Sequence, residues 1–168
     1  MLKKLKNNEK GFTIIEVMIV LAIAALILLI VLLAVPALKR NSDNTTMKND
    51  VSTVAGGISE YESNNGGALP GSVTGSNGTA TIACSGVGCT GTTSTISISG
   101  STKVVAGAAN TAPPATGGTY SPGANTITVY LGYDCATSGG AGSSDARAIS
   151  LEYPLSTSGG QITECQQA

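Results

Sequence analysis

The chain has 168 residues, nine basic and ten acidic side chains, a formal net charge of −1 and no histidine. This length allows one domain beside a membrane segment. The near-neutral charge speaks against a strongly basic nucleic-acid-binding protein, and the lack of histidine removes the commonest acid–base catalyst and a common zinc ligand.

The first predicted element is a membrane-spanning helix between Phe12 and Leu38. Only Thr13 and Glu16 interrupt its apolar start, and the run exceeds the ~20 residues that cross a bilayer as a helix. More lysines precede the run than follow it, so the positive-inside rule predicts a cytoplasmic N-terminus and an exported remainder. The flanking basic residues are Lys3, Lys4, Lys6 and Lys10 before the run and Lys39 and Arg40 after it.

Glu16 is the unusual residue of this run, because an unpaired carboxylate in hydrocarbon costs at least ~2.5 kcal/mol. A cleavable signal peptide with a site at Ala22-Ile23-Ala24 would leave the apolar stretch 25–35 at the new N-terminus. An uncleaved signal anchor has no need of a glutamate. Neither alternative accounts for Glu16.

The string KGFTIIEVMIVLAI has a short lysine-rich leader ending in Gly11, then Phe12, then a glutamate four residues further on. It resembles the N-terminus of type IV prepilins, and the short leader and the phenylalanine resemble the type IVa subclass. The match is close over residues 10–38. It implies cleavage between Gly11 and Phe12 by the prepilin peptidase and N-methylation of the new Phe12 amine.

The resemblance also implies the partners and the location of the protein. The precursor would be a single-pass protein of the cytoplasmic membrane. The processed chain would form an extracellular homopolymer, a pilus built by an assembly platform and motor ATPases, which supports attachment and twitching motility.

Three interpretations of Glu16 follow from the amine that cleavage creates on Phe12. The favoured one is an ion pair between this amine and Glu16 of a neighbouring subunit, since two buried charges that cancel only in register penalise misplacement. A pair within one chain is possible because Glu16 lies one helical turn from Phe12. The third interpretation is a protonated Glu16.

The helix is predicted to continue to Asn64, where the stop signal Asn64-Asn65-Gly66-Gly67 begins. Pro36 predicts a bend, because proline removes a backbone hydrogen bond and clashes with the preceding turn. Gly56 and Gly57 indicate either close approach of a neighbouring backbone or a local break. An apolar stripe at spacings of four and three predicts packing on a sheet. It comprises Met47, Val51, Val54, Ile58 and Tyr61.

The rest of the chain predicts a β-rich head. The clearest strands, Thr126 to Tyr133 and Arg147 to Tyr153, alternate apolar and polar residues and suggest an antiparallel pair separated by a loop from Asp134 to Asp145. Weaker candidates are Thr79 to Ala83, Thr95 to Ser99, Lys103 to Ala106 and Gln161 to Cys165.

The predicted fold is therefore α+β, the pilin fold that the resemblance implies, with a long N-terminal helix on an antiparallel sheet. The expected divisions are a leader (1–11), a membrane and filament-core segment (12–38), the second half of the helix (39–67) and a disulfide-stapled head (68–168).

The four cysteines, Cys84, Cys89, Cys135 and Cys165, all lie in the part predicted to be exported, where disulfides form. Three pairings are possible. Adjacent pairing, Cys84 with Cys89 and Cys135 with Cys165, is favoured because it staples a short loop and ties the C-terminus to a strand. Free thiols are the alternative.

No catalytic function, cofactor or metal is predicted. The sequence shows no paired arrangement of the outer carboxylates Asp134, Asp145, Glu152 and Glu164. Past the span the basic residues are scattered, so nucleic-acid binding is not favoured; they are Lys39, Arg40, Lys48, Lys103 and Arg147.

The favoured function is the major subunit of a type IV pilus. The alternatives are a minor pilin or adhesin and a pseudopilin of a type II secretion system. The Ser/Thr-rich stretches are either solvated connections or a surface that carries sugars or contacts a host. Asn44-Thr45-Thr46 and Asn77-Gly78-Thr79 match the short N-glycosylation pattern.

Overall fold

The computed structural model describes residues 11–84, 92–107, 113, 123–135 and 142–168. The chain divides into two compact units, Met1–Lys39 and Arg40–Ala168. A single helix, α1 (Ile14–Asn64), supplies residues to both units. The two units are described separately below.

Seven strands form one sheet in the second unit, in the order β3-β2-β1-β4-β5-β6-β7. Neighbouring strands are antiparallel except for β4 and β5, which are parallel. With the long N-terminal helix, this sheet confirms the predicted α+β pilin-like arrangement. The strands are β1 (Ser72–Ser76), β2 (Thr79–Ala83), β3 (Ser94–Ser97), β4 (Lys103–Ala106), β5 (Thr126–Tyr133), β6 (Ser144–Thr157) and β7 (Gly160–Gln167).

The helical part of the first unit is apolar and exposed. The large apolar side chains between Phe12 and Leu38 are about half exposed or more. In the described part of the chain, α1 is the one helix long and apolar enough to cross a membrane. Pro36 lies within the helix, and the bend expected there stays a prediction.

The core of the second unit lies between α1 and one face of the sheet. The predicted apolar stripe of the helix is buried there in full, so the 3.6-residue pattern identified the contact face correctly. Its partners are alternate residues of the strands, including Val73, Ile82, Val104, Ile127, Val129, Ile149, Leu151 and Tyr153.

Gly57 allows strand β3 to approach the helix. A Cβ at this position would lie 2.8 Å from Cγ2 of Ile96 and 3.0 Å from Cδ1 of Ile82. A Cβ at Gly56 would meet nothing within 4 Å. Both glycines are helical, so the predicted alternative of a local break is wrong. Close approach occurs at Gly57 alone of the two, and by side chains rather than by the backbone that was expected.

The helix ends in a Schellman motif. Gly66 has a φ of 67°, and the N–H of Gly67 donates to the carbonyl of Glu62 at 2.7 Å. This six-to-one bond and a left-handed residue before its donor are the marks of that motif. The predicted stop after Asn64 is therefore confirmed, with a physical cause.

Three features of the sheet differ from the sequence-based expectations. Strand β1 was not predicted, because Ser72–Ser76 contains one strongly apolar residue, Val73. Strand β6 begins at Ser144, so the predicted loop is shorter and the strand longer. Tyr133 leaves the alternating pattern because the register of β5 against β6 shifts between Leu131 and Tyr133, where Gly132 has a φ of 83°.

Candidate functional site at the start of the apolar helix

Gly11 and Phe12 precede the first turn of α1 and are exposed. The Phe12 side chain is 90% exposed. A Cβ built on Gly11 would meet no atom within 4 Å. The fold of the described residues therefore does not require a glycine at position 11.

Thr13 and Glu16 form a reciprocal capping box at the N-terminus of α1. The backbone N–H of Thr13 donates to Oε2 of Glu16 at 2.8 Å, and the Thr13 hydroxyl donates to the same oxygen at 2.7 Å. In return, the N–H of Glu16 donates to Oγ1 of Thr13 at 3.3 Å. Thr13 is the N-cap and Glu16 the third helical residue, the spacing that a capping box requires.

The capping box places a negative charge where it suits the helix. The N-terminus carries a partial positive charge from its unsatisfied N–H groups, which favours a carboxylate in the first turn. Both hydrogen bonds from Thr13 go to Oε2 of Glu16, while Oε1 has no hydrogen bond with the described part of the chain. One carboxylate oxygen thus remains available to a further donor.

An apolar groove runs along the helix beside this carboxylate. It has a volume of about 510 Å³ and is lined by Phe12, Glu16, Val17, Val20 and Leu21. These residues stand at four-residue spacings in two rows, so the groove has the shape that receives a ridge of side chains from another helix. Of the described residues in this lining, Glu16 is the one that ionises.

The cysteines predicted to pair lie in the second unit. Cys135 and Cys165 form a disulfide that encloses a sequence separation of 30 residues. It joins the segment after β5 to β7, with a stabilisation of ~3.5 kcal/mol on the chain-entropy model. Cys84 is also in a disulfide, and its predicted partner Cys89 lies outside the described residues.

The capping box was not recognised in the sequence, although its signal is present. The pattern Thr-x-x-Glu immediately before an apolar helical run is a known N-terminus signature. Thr13 and Glu16 fit it with the correct spacing. The charge of Glu16 stands out in the sequence, whereas its capping geometry becomes evident in the structure.

A buried carboxylate in the sheet was also missed. Glu152 is 1% exposed and accepts a hydrogen bond from the hydroxyl of Tyr130 at 3.0 Å. Burial raises the pKa of the Glu152 carboxyl, and this hydrogen bond lowers it in part. The alternating pattern of β6 puts Glu152 on the face away from the helix, so no sequence signal indicated that it is buried.

Other possible sites are limited by the contacts of the described residues. Within them, no group of three or more His, Cys, Asp or Glu side chains could hold a metal ion. The side-chain nitrogen of Asn44 donates to the carbonyl of Ser156 at 2.9 Å. Because a glycan would attach through that nitrogen, the first sequon is unsuitable as an acceptor in this fold.

The comparison with protein families finds one motif, at the site described above. Residues 6–32 match the prokaryotic N-terminal methylation motif, the type IV prepilin-like signal. No curated protein and no solved structure matches the chain. The chain therefore carries the N-terminal signal of a type IV pilin-like or pseudopilin precursor, and its apolar helix fits a membrane-anchored precursor.

Proposed function

We propose that this chain, with its type IV prepilin-like signal, is the precursor of the major structural subunit of a type IV pilus. The prepilin peptidase cleaves it between Gly11 and Phe12, the new Phe12 amine is methylated, and copies of the mature chain polymerise. The platform and motor ATPases drive assembly, and the extracellular filament serves attachment and twitching. The subunit is structural and not an enzyme.

The observation that carries the proposal is the position of Glu16. It is the one ionisable residue between Phe12 and Leu38, and it lies in the first turn of a helix whose large apolar side chains are exposed as far as Leu38. An unpaired carboxylate there costs at least ~2.5 kcal/mol in hydrocarbon. Such a residue needs a counter-charge, and processing creates one.

The geometry of the capping box supports pairing between subunits. Oε2 of Glu16 is held by Thr13 of its own chain, so Oε1 can accept a hydrogen bond from the amine of a neighbouring Phe12 without loss of the cap. A buried pair with one partner missing is destabilised by roughly 3 to 5 kcal/mol. Subunits that add out of register would leave both charges unpaired, and the ion pair would thereby select the register.

The exposed apolar surface supplies the attraction that an ion pair alone does not. Once a subunit leaves the membrane, these residues would meet water unless they are buried against other helices of the filament, and that burial is worth ~25 cal/mol per Å² of apolar surface kept from water. The groove beside Glu16 fits a ridge of a neighbouring helix.

The environment of Gly11 supports the proposed cleavage site. The described fold leaves room for a side chain at this position. A requirement for glycine would therefore come from a molecule that binds this segment. A peptidase that binds the Gly11–Phe12 bond in a narrow active site would impose this requirement.

Two variants of Glu16 separate its charge from its capping role. Glu16→Gln keeps a side-chain acceptor that can complete a capping box but carries no charge, whereas Glu16→Leu removes both properties. We expect both variants to insert into the membrane and to be cleaved, and both to lose filaments in electron microscopy of sheared cell surfaces. Normal filament yield from Glu16→Gln would refute the ion pair and leave the cap intact.

Processing is tested by the intact mass of the filament protein. We expect a chain that begins at a methylated Phe12, and Gly11→Glu should accumulate the full precursor in the membrane. A filament protein that retains Met1 would overturn the proposal. The abundance of this chain in the sheared filaments separates the alternatives, because a minor pilin would be a trace component and a secretion pseudopilin would be absent from surface pili.

A further inference from the structure

A shallow groove lies over strands β1, β2 and β4 of the sheet. Strands β1 and β4 share one residue pair, Gly75 with Val104, whereas β1 and β2 share five. The groove has a volume of about 460 Å³. It is lined by Thr74, Gly75, Ser76, Thr79, Thr81, Lys103, Val104, Val105 and Ala106.

The hydroxyl groups of this groove lie on the face of the sheet away from the helix. Val73, Ala80 and Ile82 of the same two strands belong to the core, so the alternating residues Thr74 and Thr81 point to the other side. Thr74, Ser76 and Thr79 are exposed and Thr81 is half-buried. The face is therefore accessible from solvent in the isolated chain.

The strand registers arrange these hydroxyl groups in rows. Thr74 pairs with Thr81, and Thr81 pairs with Thr95 of β3. A second row joins Ser76, Thr79 and Ser97. Strand geometry separates neighbours within a row by ~4.8 Å and the two rows by ~7 Å. The backbone thus holds the four hydroxyl groups of the groove at fixed spacings, and each can both donate and accept a hydrogen bond. Thr95 and Ser97 extend the two rows beyond the groove lining.

Lys103 adds one positive charge to this face. Among the described residues that line the groove, it is the one ionisable side chain, and it is exposed. A ligand complementary to this groove would offer many hydroxyl groups of its own and a carboxylate for the ammonium group. Acidic sugars, in which a uronate carboxylate stands on a polyhydroxylated ring, have this chemistry.

We propose that the groove over β1, β2 and β4 binds uronic-acid units of acidic polysaccharides. The Lys103 ammonium group contacts the carboxylate, and Thr74, Thr79 and Thr81 hydrogen-bond to sugar hydroxyl groups. The described residues of the lining include no aromatic side chain for ring stacking, so a single site binds weakly. The site is a property of the head alone. In the filament proposed above, its repetition would raise the avidity by multivalency.

The observations favour this ligand over two others. A nucleic acid would need several cationic or aromatic side chains, and the lining offers one lysine. An apolar small molecule would need a mainly apolar cavity, whereas hydroxyl groups and Lys103 line most of this groove.

The test uses the full chain in detergent micelles and a purified tetragalacturonate, with binding followed by ligand-detected NMR titration. We expect saturable binding to the unaltered chain, about tenfold weaker for Lys103→Gln because a charge-assisted hydrogen bond is lost. Thr79→Val and Thr81→Val should each weaken binding by about threefold to tenfold. The fully methyl-esterified tetrasaccharide, which keeps the hydroxyl groups but has no charge, should bind as weakly as the tetragalacturonate does to Lys103→Gln.

Matched controls lie close by. Thr95→Val changes the same chemistry on the adjacent strand but outside the groove lining, and Lys48→Gln removes an exposed charge from the helix; both should bind like the unaltered chain. Circular dichroism and thermal unfolding show whether each variant is folded. Absent binding, equal loss in Lys48→Gln and Lys103→Gln, or equally effective competition by acetate would each overturn the proposal. Loss of filaments in Glu16 variants does not affect this test, so the two proposals fail separately.

Discussion

The side-chain amide of Asn44 pairs with the backbone of Ser156 through two hydrogen bonds. Its Nδ2 donates to the Ser156 carbonyl at 2.9 Å, and the Ser156 N–H donates to its Oδ1 at 2.7 Å. The side chain thus acts as a peptide group of a neighbouring strand. It does so beyond the N-terminal end of β5, because the β5–β6 pairing extends only as far as Thr128 with Glu152.

The same edge of β6 includes Pro154, two residues before Ser156. Alternate residues of a strand direct their N–H and carbonyl groups to the same side. The backbone nitrogen of Pro154 would therefore face the N-terminal end of β5. It has no N–H to leave unsatisfied, and proline is tolerated where no ladder hydrogen bond is required. At these two positions of the edge, no backbone N–H lacks a partner, because Pro154 has none and Asn44 accepts from that of Ser156.

We expect Asn44→Ala to lower the free energy of unfolding by ~2 kcal/mol, because it leaves a half-buried N–H and a carbonyl unpaired. Denaturant unfolding followed by circular dichroism would measure this change. Asn49→Ala removes an exposed amide from the same helix and should change stability by less than ~0.5 kcal/mol. Similar losses in the two variants would contradict the role assigned to Asn44.

The adjacent glycines of α1 should respond to alanine in opposite directions. Gly56→Ala should stabilise the protein by up to ~1 kcal/mol, since alanine is the better helix former and the new methyl group meets no atom. Gly57→Ala should destabilise it, because the methyl group would lie 2.8 Å from Cγ2 of Ile96. Thermal unfolding of the two variants side by side tests this. A gain in stability for Gly57→Ala would mean that β3 moves away at little cost.

The stability of the protein should depend on pH through Glu152. Burial raises the pKa of this carboxyl in the folded state, so between its unfolded and folded pKa values the native state binds more protons than the unfolded state. The free energy of unfolding should therefore fall as the pH rises through this interval and be greatest below it.

Glu152→Gln is the matched variant for this pH effect, because it keeps an acceptor for the Tyr130 hydroxyl but does not ionise. Urea unfolding between pH 4 and pH 8 should show a smaller decline for this variant than for the unaltered chain. Identical pH profiles would show that another group is responsible.

The capping box should control the order of the first helical turn. Thr13→Val removes the hydroxyl that bonds to Glu16 and should destabilise this turn by ~1 kcal/mol, whereas Thr13→Ser keeps it. Amide hydrogen exchange of Glu16 and Val17, whose N–H groups bond to Thr13, in detergent micelles is the measurement. We expect about fivefold faster exchange in the valine variant, and unchanged exchange there would contradict the cap.

The sequence by itself determined the elements with strong local signals. The apolar run is recognised by its length, and the helical stripe from Met47 to Tyr61 and the alternation in β5 and β6 by their periodicity. The structure has the helix and strands that these signals predict. The N-terminal signal was also legible, because its residues are consecutive and do not depend on folding to be recognised.

Only the tertiary structure decided which distant residues meet. The parallel pairing of β4 with β5, the bonds of Asn44 to Ser156 and the burial of Glu152 beside Tyr130 all depend on how the strands are ordered in the sheet. Periodicity specifies which face of an element is apolar, but not which element lies against it. Polar contacts between segments more than a hundred residues apart, such as Asn44 with Ser156, therefore have no local signal.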